Sequence, residues 1–160
     1  KINLNILCMH SFFCILIDSM KFIEHSLRYT WQSVSKMHNE EAKKYGGTLA
    51  HAQALLNLDP EKGIPSTSLG PKMGMESTSL SRTLKSMEEL NLIKRVANPS
   101  DKRGVLIKLT EKGIDLRNLA KRNGLKFNKA VYENIGKEDV DMFLNVMKKI
   151  NLMIRNKEIY

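Results

Sequence analysis

The segment from Ser66 to Leu109 constrains the fold of this chain more than any other feature of the sequence. Ser66 can cap a short helix that runs to Met73, and Gly74 follows as a helix-ending glycine. Apolar residues then recur at three- and four-residue steps from Ser77 to Leu90, which predicts an amphipathic helix. Pro71 is unfavourable in the first helix, because inside a helix it removes a backbone hydrogen bond. Two short helices joined by a glycine turn are therefore expected.

A basic β-hairpin is predicted directly after the second helix. Residues 92–96 and 105–109 have the pattern of strands, and between them lies the turn-forming sequence Asn98-Pro99-Ser100-Asp101. The hairpin carries five cations, which are Lys94, Arg95, Lys102, Arg103 and Lys108. A short helix, a glycine turn, a polar-faced helix and a basic hairpin in this order predict a winged helix-turn-helix.

Long amphipathic helices are predicted on both sides of this segment. Apolar spacing indicates helices over residues 21–44, 111–135 and 138–156. A shorter helix capped by Thr48 is expected to end before Pro60, and residues 62–65 are expected to form a loop. The predicted fold is mainly α, with a winged helix-turn-helix, a small β-hairpin wing and long N- and C-terminal helices.

The long helices carry more apolar surface than a small winged helix needs to cover it. A second copy of the chain is the simplest partner for the excess. Residues 20–45 and 111–156 are therefore predicted to be dimerisation helices on either side of a core at residues 48–110. The alternative is that these helices pack on one another within a monomer.

The charge of the chain is positive and unevenly distributed. Lys and Arg total 26 against 17 Asp and Glu, a net charge of +9. Residues 1–70 contribute +1 (seven against six), residues 71–110 contribute +4 (eight against four) and residues 111–160 contribute +4 (eleven against seven). The middle segment has the densest excess, which favours an anionic partner there, nucleic acid first and an acidic membrane surface second.

Candidate contacts with double-stranded DNA follow from the outer face of the predicted helix 77–90 and from the hairpin. Arg82 and Lys85 can reach guanine O6 and N7, whereas hydroxyl groups can bond to phosphates or base edges. At the hairpin, an arginine suits a narrow minor groove and a lysine suits a phosphate. Asp101 is expected to have a structural role in the wing by pairing with a basic side chain. The predicted DNA-binding residues are Ser77, Thr78, Ser79, Ser81, Arg82, Lys85, Lys102 and Arg103.

The sequence offers no motif of an enzyme, a metal site or a cofactor site. Its four histidines lack the three- or four-residue spacing of metal ligands on a helix. No glycine-rich loop has the pattern of a phosphate-binding site. Cys8 and Cys14 are the only cysteines and form no disulfide framework, which fits a reducing cytoplasm. We therefore expect no catalytic residue, no metal, no cofactor and a cytoplasmic location.

Residues 1–19 differ from the rest of the chain, because an apolar run extends from Ile6 to Ile17. The run could be the core of a signal peptide, an additional helix, or a segment upstream of a true start at Met20. It is too short for a transmembrane helix, which needs about 20 apolar residues. The expectation is an upstream or accessory segment at residues 1–19 and a single domain at residues 20–160.

The stretch from Leu69 to Gly113 resembles the MarR family of bacterial transcriptional regulators. The shared pattern consists of a glycine turn, a Ser-Leu-Ser-Arg helix, a leucine-rich step to a hairpin, an Asp-x-Arg wing and a Leu-Thr-x-x-Gly helix start. In this chain these are Gly74-Met75, residues 79–82, residues 87–95, Asp101-Lys102-Arg103 and residues 109–113. The long flanking helices extend the resemblance over most of residues 21–156.

The resemblance implies a homodimer whose two winged helices meet successive major grooves of DNA. It also implies regulation, often repression, that is relieved by a small aromatic ligand or by cysteine oxidation. Because both cysteines precede the matching segment, oxidation sensing is not expected here.

Three functions compete at this point. The leading hypothesis is a homodimeric, sequence-specific DNA-binding regulator, in particular a repressor at a pseudo-palindromic operator that a small aromatic effector releases. A winged-helix module for protein–protein assembly is the first alternative, and a membrane protein anchored by residues 1–19 is the second. The cationic outer face of helix 77–90 favours DNA over a protein, because a protein-docking helix would expose aromatic or aliphatic residues there.

Overall fold

The computed structural model describes residues 22–99 and 101–159, with residues 101–103 described by their backbone alone. The proposed accessory segment at residues 1–19, both cysteines and Met20 lie outside the described residues. Within the described ranges, no helix is both long enough and apolar enough to cross a membrane. The chain divides into two compact units, Lys1–Gln53 and Ala54–Tyr160.

The described part of the first unit consists of helix α1 (Ile23–Lys43) and the start of helix α2 (Leu49–Asn57). None of the residues of α1 is buried. Thr48 caps α2 as predicted, since its Oγ1 accepts a hydrogen bond of 3.2 Å from the backbone N–H of His51. The side chain of Asn39 accepts a second bond of 2.8 Å from the N–H of Leu49. Two side-chain oxygens thus satisfy N–H groups in the first turn of α2.

The second unit contains the predicted winged helix-turn-helix. After α2 come strand β1 (Ile64–Pro65) and the helices α3 (Ser66–Met73) and α4 (Ser77–Glu89). Strands β2 (Ile93–Asn98) and β3 (Asp101–Leu109) form the hairpin, and helices α5 (Glu111–Ile135) and α6 (Lys137–Arg155) follow. The predicted mainly α fold with a small wing is confirmed.

A cluster of buried, mainly aliphatic side chains holds the winged helix together. Each fully buried aliphatic side chain stabilises the fold by roughly 1.5–3 kcal/mol relative to its exposed state. The largest fully buried side chains are Leu58, Leu69, Met87, Leu92, Ile93 and Ile107. The cluster draws on α2, α3, α4, β2 and β3, so it fixes the hairpin against the two short helices.

The sheet has three strands, so the prediction of a loop at residues 62–65 is wrong for Ile64 and Pro65. The strand order is β1-β3-β2, and Ile64 pairs with Ile107 in antiparallel register. Gly63 precedes β1 with φ +73°, and a Cβ atom there would lie 2.8 Å from the carbonyl oxygen of Ile107. Glycine therefore permits the close approach of the two strands. A two-residue strand is too short to show the alternation by which strands are predicted.

The short helix α3 differs from its prediction in two details. Ser66 is its first helical residue, and Pro65 occupies the N-cap position that Ser66 was predicted to fill. Pro71 lies inside the helix on its exposed side, where it removes one backbone hydrogen bond. Gly74 ends the helix in the left-handed conformation with φ 60°, as expected.

Candidate nucleic-acid interface

Helix α4 separates its side chains into a buried face and an exposed face. Leu80, Leu84 and Met87 are buried in the aliphatic cluster. All six DNA-binding residues predicted on this helix are exposed. They are Ser77, Thr78, Ser79, Ser81, Arg82 and Lys85. The structure thus brings six of the eight predicted DNA-binding residues onto one helix, with hydroxyl groups at its start and cations near its middle.

The first turn of α4 has backbone N–H groups that its N-cap side chain leaves unbonded. The N-cap residue is Glu76, which has an extended backbone and forms no side-chain cap hydrogen bond. The first helical bond joins the N–H of Leu80 to the carbonyl of Glu76 at 2.9 Å. N–H groups at a helix start, together with the positive end of the helix dipole, favour a bound phosphate.

The two cations of α4 are available to a ligand. Arg82 forms no ion pair with any side chain that the structure describes. The Nζ atom of Lys85 lies 4.0 Å from Oε1 of Glu89, and both side chains are highly exposed. An exposed pair of this kind contributes at most about 1 kcal/mol, so a DNA contact can replace it.

An ion pair that the sequence analysis did not identify joins α4 to the hairpin. The Nε atom of Arg95 on β2 donates to Oε2 of Glu88 at 3.1 Å. The partners lie on different elements and are seven residues apart, so helical spacing gives no signal for the contact. This bond joins the end of α4 to the first strand of the hairpin.

Helix α5 is fixed to the end of α4 at a tight junction. Thr110 caps α5 by accepting a 3.0 Å bond from the N–H of Gly113, and its hydroxyl donates to the carbonyl of Asn91 at 2.7 Å. A Cβ atom on Gly113 would lie 2.0 Å from the carbonyl oxygen of Leu92, which is far inside contact distance. The backbone of α5 thus approaches the start of β2 as closely as glycine allows.

The structure places the predicted wing residues at the tip of the hairpin. Asp101 pairs with Asn98 in the strand register, and Lys102 and Arg103 follow it on β3. The backbone alone defines these three positions, so the predicted pairing of Asp101 with a basic side chain stays a prediction. Strand β3 begins four residues earlier than expected and extends the hairpin to its turn.

Two exposed cations near α4 were not among the predicted site residues. Lys72 lies in the last turn of α3, and Lys94 lies on β2. Net charge by segment could have identified both, whereas the periodicity of α4 alone does not include them. In the described part of the chain, no group of three or more His, Cys, Asp or Glu side chains could hold a metal ion.

Comparisons with known proteins show similarity to one family of transcriptional regulators. Residues 48–105 match the MarR family. The uncharacterised HTH-type transcriptional regulator YdgJ of Bacillus subtilis is 24% identical over 136 residues, which cover 84% of this chain and 83% of that protein.

Solved structures show the same architecture over most of the chain. The crystal structure of the transcriptional regulator SlyA has a TM-score of 0.75 at 18% identity and covers 84% of this chain and 95% of its own. A mutant of MarR from E. coli was crystallised with operator DNA, and its structure has a TM-score of 0.72 at 22% identity. The match covers 80% of this chain and 92% of that chain. The family match covers the winged helix, and the shared architecture shows that this chain has the fold of these regulators, a winged helix-turn-helix with long flanking helices.

Proposed function

We propose that the protein is a homodimeric repressor that binds a pseudo-palindromic operator in double-stranded DNA. The match of residues 48–105 to the MarR family supports a transcriptional regulator and not an enzyme. The observation that carries the proposal is the exposed surface of α4, where Thr78, Arg82 and Lys85 lie opposite the buried face of the helix and exposed serines lie at its flanks. A helix with this division can enter a major groove without uncovering the core that holds it.

Each polar residue of α4 has a proposed partner on DNA. Arg82 and Lys85 read guanine through O6 and N7, because these acceptors match a guanidinium or ammonium donor. Ser77, Thr78, Ser79 and Ser81 bond to phosphates or base edges near the start of the helix. At the wing, Arg103 enters the minor groove, Lys102 contacts a phosphate and Asp101 holds a basic neighbour in place.

The proposed homodimer is supported by apolar surface that a single chain leaves uncovered. Helix α1 has no buried residue, and Val140 is the one residue of α6 that is buried. Large apolar side chains that are 40% exposed or more include Phe22, Ile23, Tyr29, Trp31 and Met37 at α1 and Met142, Phe143, Leu144, Val146, Leu152, Met153 and Ile154 on α6. Apolar faces of this extent are typical of interfaces. Two copies would present two α4 helices to DNA about one helical turn apart.

Three further parts of the proposal are supported by the comparisons and by the composition of the chain. MarR from E. coli has been crystallised with operator DNA, and the likeness of fold supports the same partner here. Repression and release by a small aromatic effector are supported by the match of residues 48–105 to the MarR family. A DNA partner and the sparing use of cysteine support a cytoplasmic location.

Selection from a duplex library with a randomised core tests the proposal. The full chain should enrich a two-fold symmetric sequence. Two copies of Arg82, Lys85, Lys102 and Arg103 supply eight candidate phosphate or base contacts. If about six to ten phosphates are contacted, affinity for the enriched duplex should fall ~10³–10⁵-fold between 50 and 200 mM salt. A chain that enriches no sequence and binds independently of salt would favour the protein-assembly function instead.

A further inference from the structure

The end of helix α4 is bonded to the start of helix α5 through three successive backbone carbonyl groups. The carbonyl of Leu90 accepts a 3.0 Å bond from Nζ of Lys112. The carbonyl of Asn91 accepts a 2.7 Å bond from the hydroxyl of Thr110. The carbonyl of Leu92 accepts a 3.1 Å bond from the N–H of Thr110. These five residues form the α4–α5 junction.

The α4–α5 junction leaves little freedom for α4 to change its direction relative to α5. Gly113 approaches the carbonyl oxygen of Leu92 so closely that an added Cβ atom would lie 2.0 Å from it. The hydroxyl of Thr110 also accepts a 3.0 Å bond from the N–H of Gly113, so one side chain is bonded to both helix ends. Bonds to three adjacent carbonyls cannot all be kept if one helix pivots against the other. The junction therefore restrains rotation as well as distance.

The end of α4 does not need partners from α5 in order to terminate. The N–H of Leu92 donates to the carbonyl of Met87 at 2.8 Å, and the N–H of Asn91 donates to the carbonyl of Glu88 at 2.9 Å. Local bonds of this kind are sufficient to end a helix. Asn91 is exposed, so water could satisfy its carbonyl. What the bonds from Thr110 and Lys112 add is a connection between two elements.

This connection joins the proposed DNA-binding helix to a proposed dimerisation helix. Helix α5 has 25 residues and spans about 37 Å. Leu125 and Ile135 on it are 59% and 58% exposed, which supports its place in an interface between two copies. In a dimer built on α5, the direction in which α4 leaves the junction determines the distance and the angle between the two α4 helices.

We propose that Thr110 and Lys112 are positioning residues that fix the spacing of half-sites which the dimer accepts. Adding one base pair between the half-sites moves one of them by about 3.4 Å and turns it by about 35°. A dimer with intact junctions cannot follow this change, so one α4 helix loses contact with its bases. This inference rests on the proposed function, because it requires two half-sites and two copies of α4.

Substitutions at Lys112 test the α4–α5 junction without disturbing the core, since this side chain is exposed. Lys112→Met keeps most of the stem and removes both the donor and the charge. Lys112→Arg keeps a donor and the charge. The control is Lys121→Met, which removes one charge from another exposed position of α5.

The measurement is a set of titrations with the full chain on three duplexes. One is the duplex that the library selection enriches, and the others have one base pair added or removed between its half-sites. The parent, Lys112→Arg and Lys121→Met should bind the two altered duplexes at least about tenfold more weakly than the enriched one. For Lys112→Met this ratio should shrink by roughly two- to fivefold, the range that one exposed hydrogen bond can supply.

A second pair of variants tests the other donor of the junction. Thr110→Val has nearly the same shape as the parent side chain but lacks the hydroxyl, whereas Thr110→Ser retains it. Thr110→Val should also reduce the spacing ratio, and Thr110→Ser should restore it. A merely structural role would lower the thermal midpoint and leave this ratio unchanged, because lost stability affects all three duplexes alike.

The outcomes separate this inference from the proposed function. If Lys112→Met and Thr110→Val keep the spacing ratio of the parent, the inference is wrong and the proposed function stands. The same holds if Lys112→Met weakens binding to all three duplexes by one factor, since Lys112 then contacts a phosphate. A parent that enriches a symmetric sequence but tolerates all three spacings would also overturn the inference alone. A parent that enriches no sequence would overturn both.

Discussion

Asn91 ends α4 in the left-handed backbone conformation, with φ 56°. Asparagine tolerates this conformation better than most residues other than glycine. Its carbonyl accepts from the hydroxyl of Thr110, and the carbonyl of Leu90 accepts a 3.0 Å bond from Nζ of Lys112. These bonds orient the end of α4, yet their partners are 19 and 22 residues apart. Sequence periodicity cannot reveal contacts at such separations.

The exposed face of α4 was predictable, because it depends on local helical spacing and not on contacts between distant residues. Burial of Leu80, Leu84 and Met87 follows from helical spacing, and this spacing places Arg82 and Lys85 outward without any further contact. The ion pair between Glu88 and Arg95 was not predictable, because it depends on how β2 lies beside the helix. Periodicity therefore reveals which residues face outward, whereas tertiary packing decides which of them are paired.

The buried side chain of His51 predicts a pH dependence of stability. Burial lowers the pKa of His51 below its ordinary value of 6.5, and its Nδ1 atom has no hydrogen-bond partner in the described structure. Below pH 6.5 the unfolded chain binds a proton on this residue that the folded chain does not bind. The free energy of unfolding should therefore fall as the pH falls below 6.5, until the folded-state pKa is reached.

Urea titrations at pH 7.5 and at about pH 5.5 would measure this effect. The comparison is between the parent and His51→Gln, which removes the titrating group. The variant should lose less stability on acidification, whatever its stability at the higher pH. An equal loss in both proteins would show that His51 does not contribute to the pH dependence.

At the scale of elements, strand β1 shows where sequence patterns give too little information. Its two residues join the sheet because Ile64 is buried opposite Ile107 and Gly63 allows the approach. Neither condition produces an alternating pattern over several residues. The long helices α1, α5 and α6 were predicted within two residues at either end, since their apolar spacing persists over many turns.

Helix α5 contains two glycines that should respond oppositely to alanine. Gly113 lies against the carbonyl of Leu92, so Gly113→Ala should destabilise the protein by about 1–3 kcal/mol or more. An added Cβ on Gly124 would meet no atom within 4 Å, so Gly124→Ala should stabilise by about 0.5–1 kcal/mol through helix propensity.

Urea midpoints of both variants, measured at one protein concentration, test this contrast. Each glycine serves as the control for the other, because the substitution and the helix are the same. An unchanged urea midpoint for Gly113→Ala would mean that α5 does not lie as close to the start of β2 as the structure shows.

At the scale of the whole molecule, the uncovered apolar faces of α1 and α6 predict self-association. Sedimentation equilibrium of the full chain at micromolar concentration should give twice the monomer mass. Covering residues such as Trp31 and Phe143, each 54% exposed, supplies the hydrophobic gain that drives the association. A folded monomer under these conditions would remove the model of two half-sites.

The central claim is that α4 reads bases while Lys102 of the wing contacts the DNA backbone. Its most direct measurement is a pair of titrations, with the enriched duplex and a scrambled duplex, at two salt concentrations. Arg82→Ala should weaken binding to the enriched duplex by about 1–3 kcal/mol more than binding to the scrambled one.

Lys102→Ala is the matched control in the same titrations. It should weaken binding to both duplexes about equally and lower the salt slope by about one for each phosphate that the variant no longer binds. If Arg82→Ala also weakens both duplexes alike, Arg82 contacts a phosphate, and the account of α4 as the base-reading helix is contradicted.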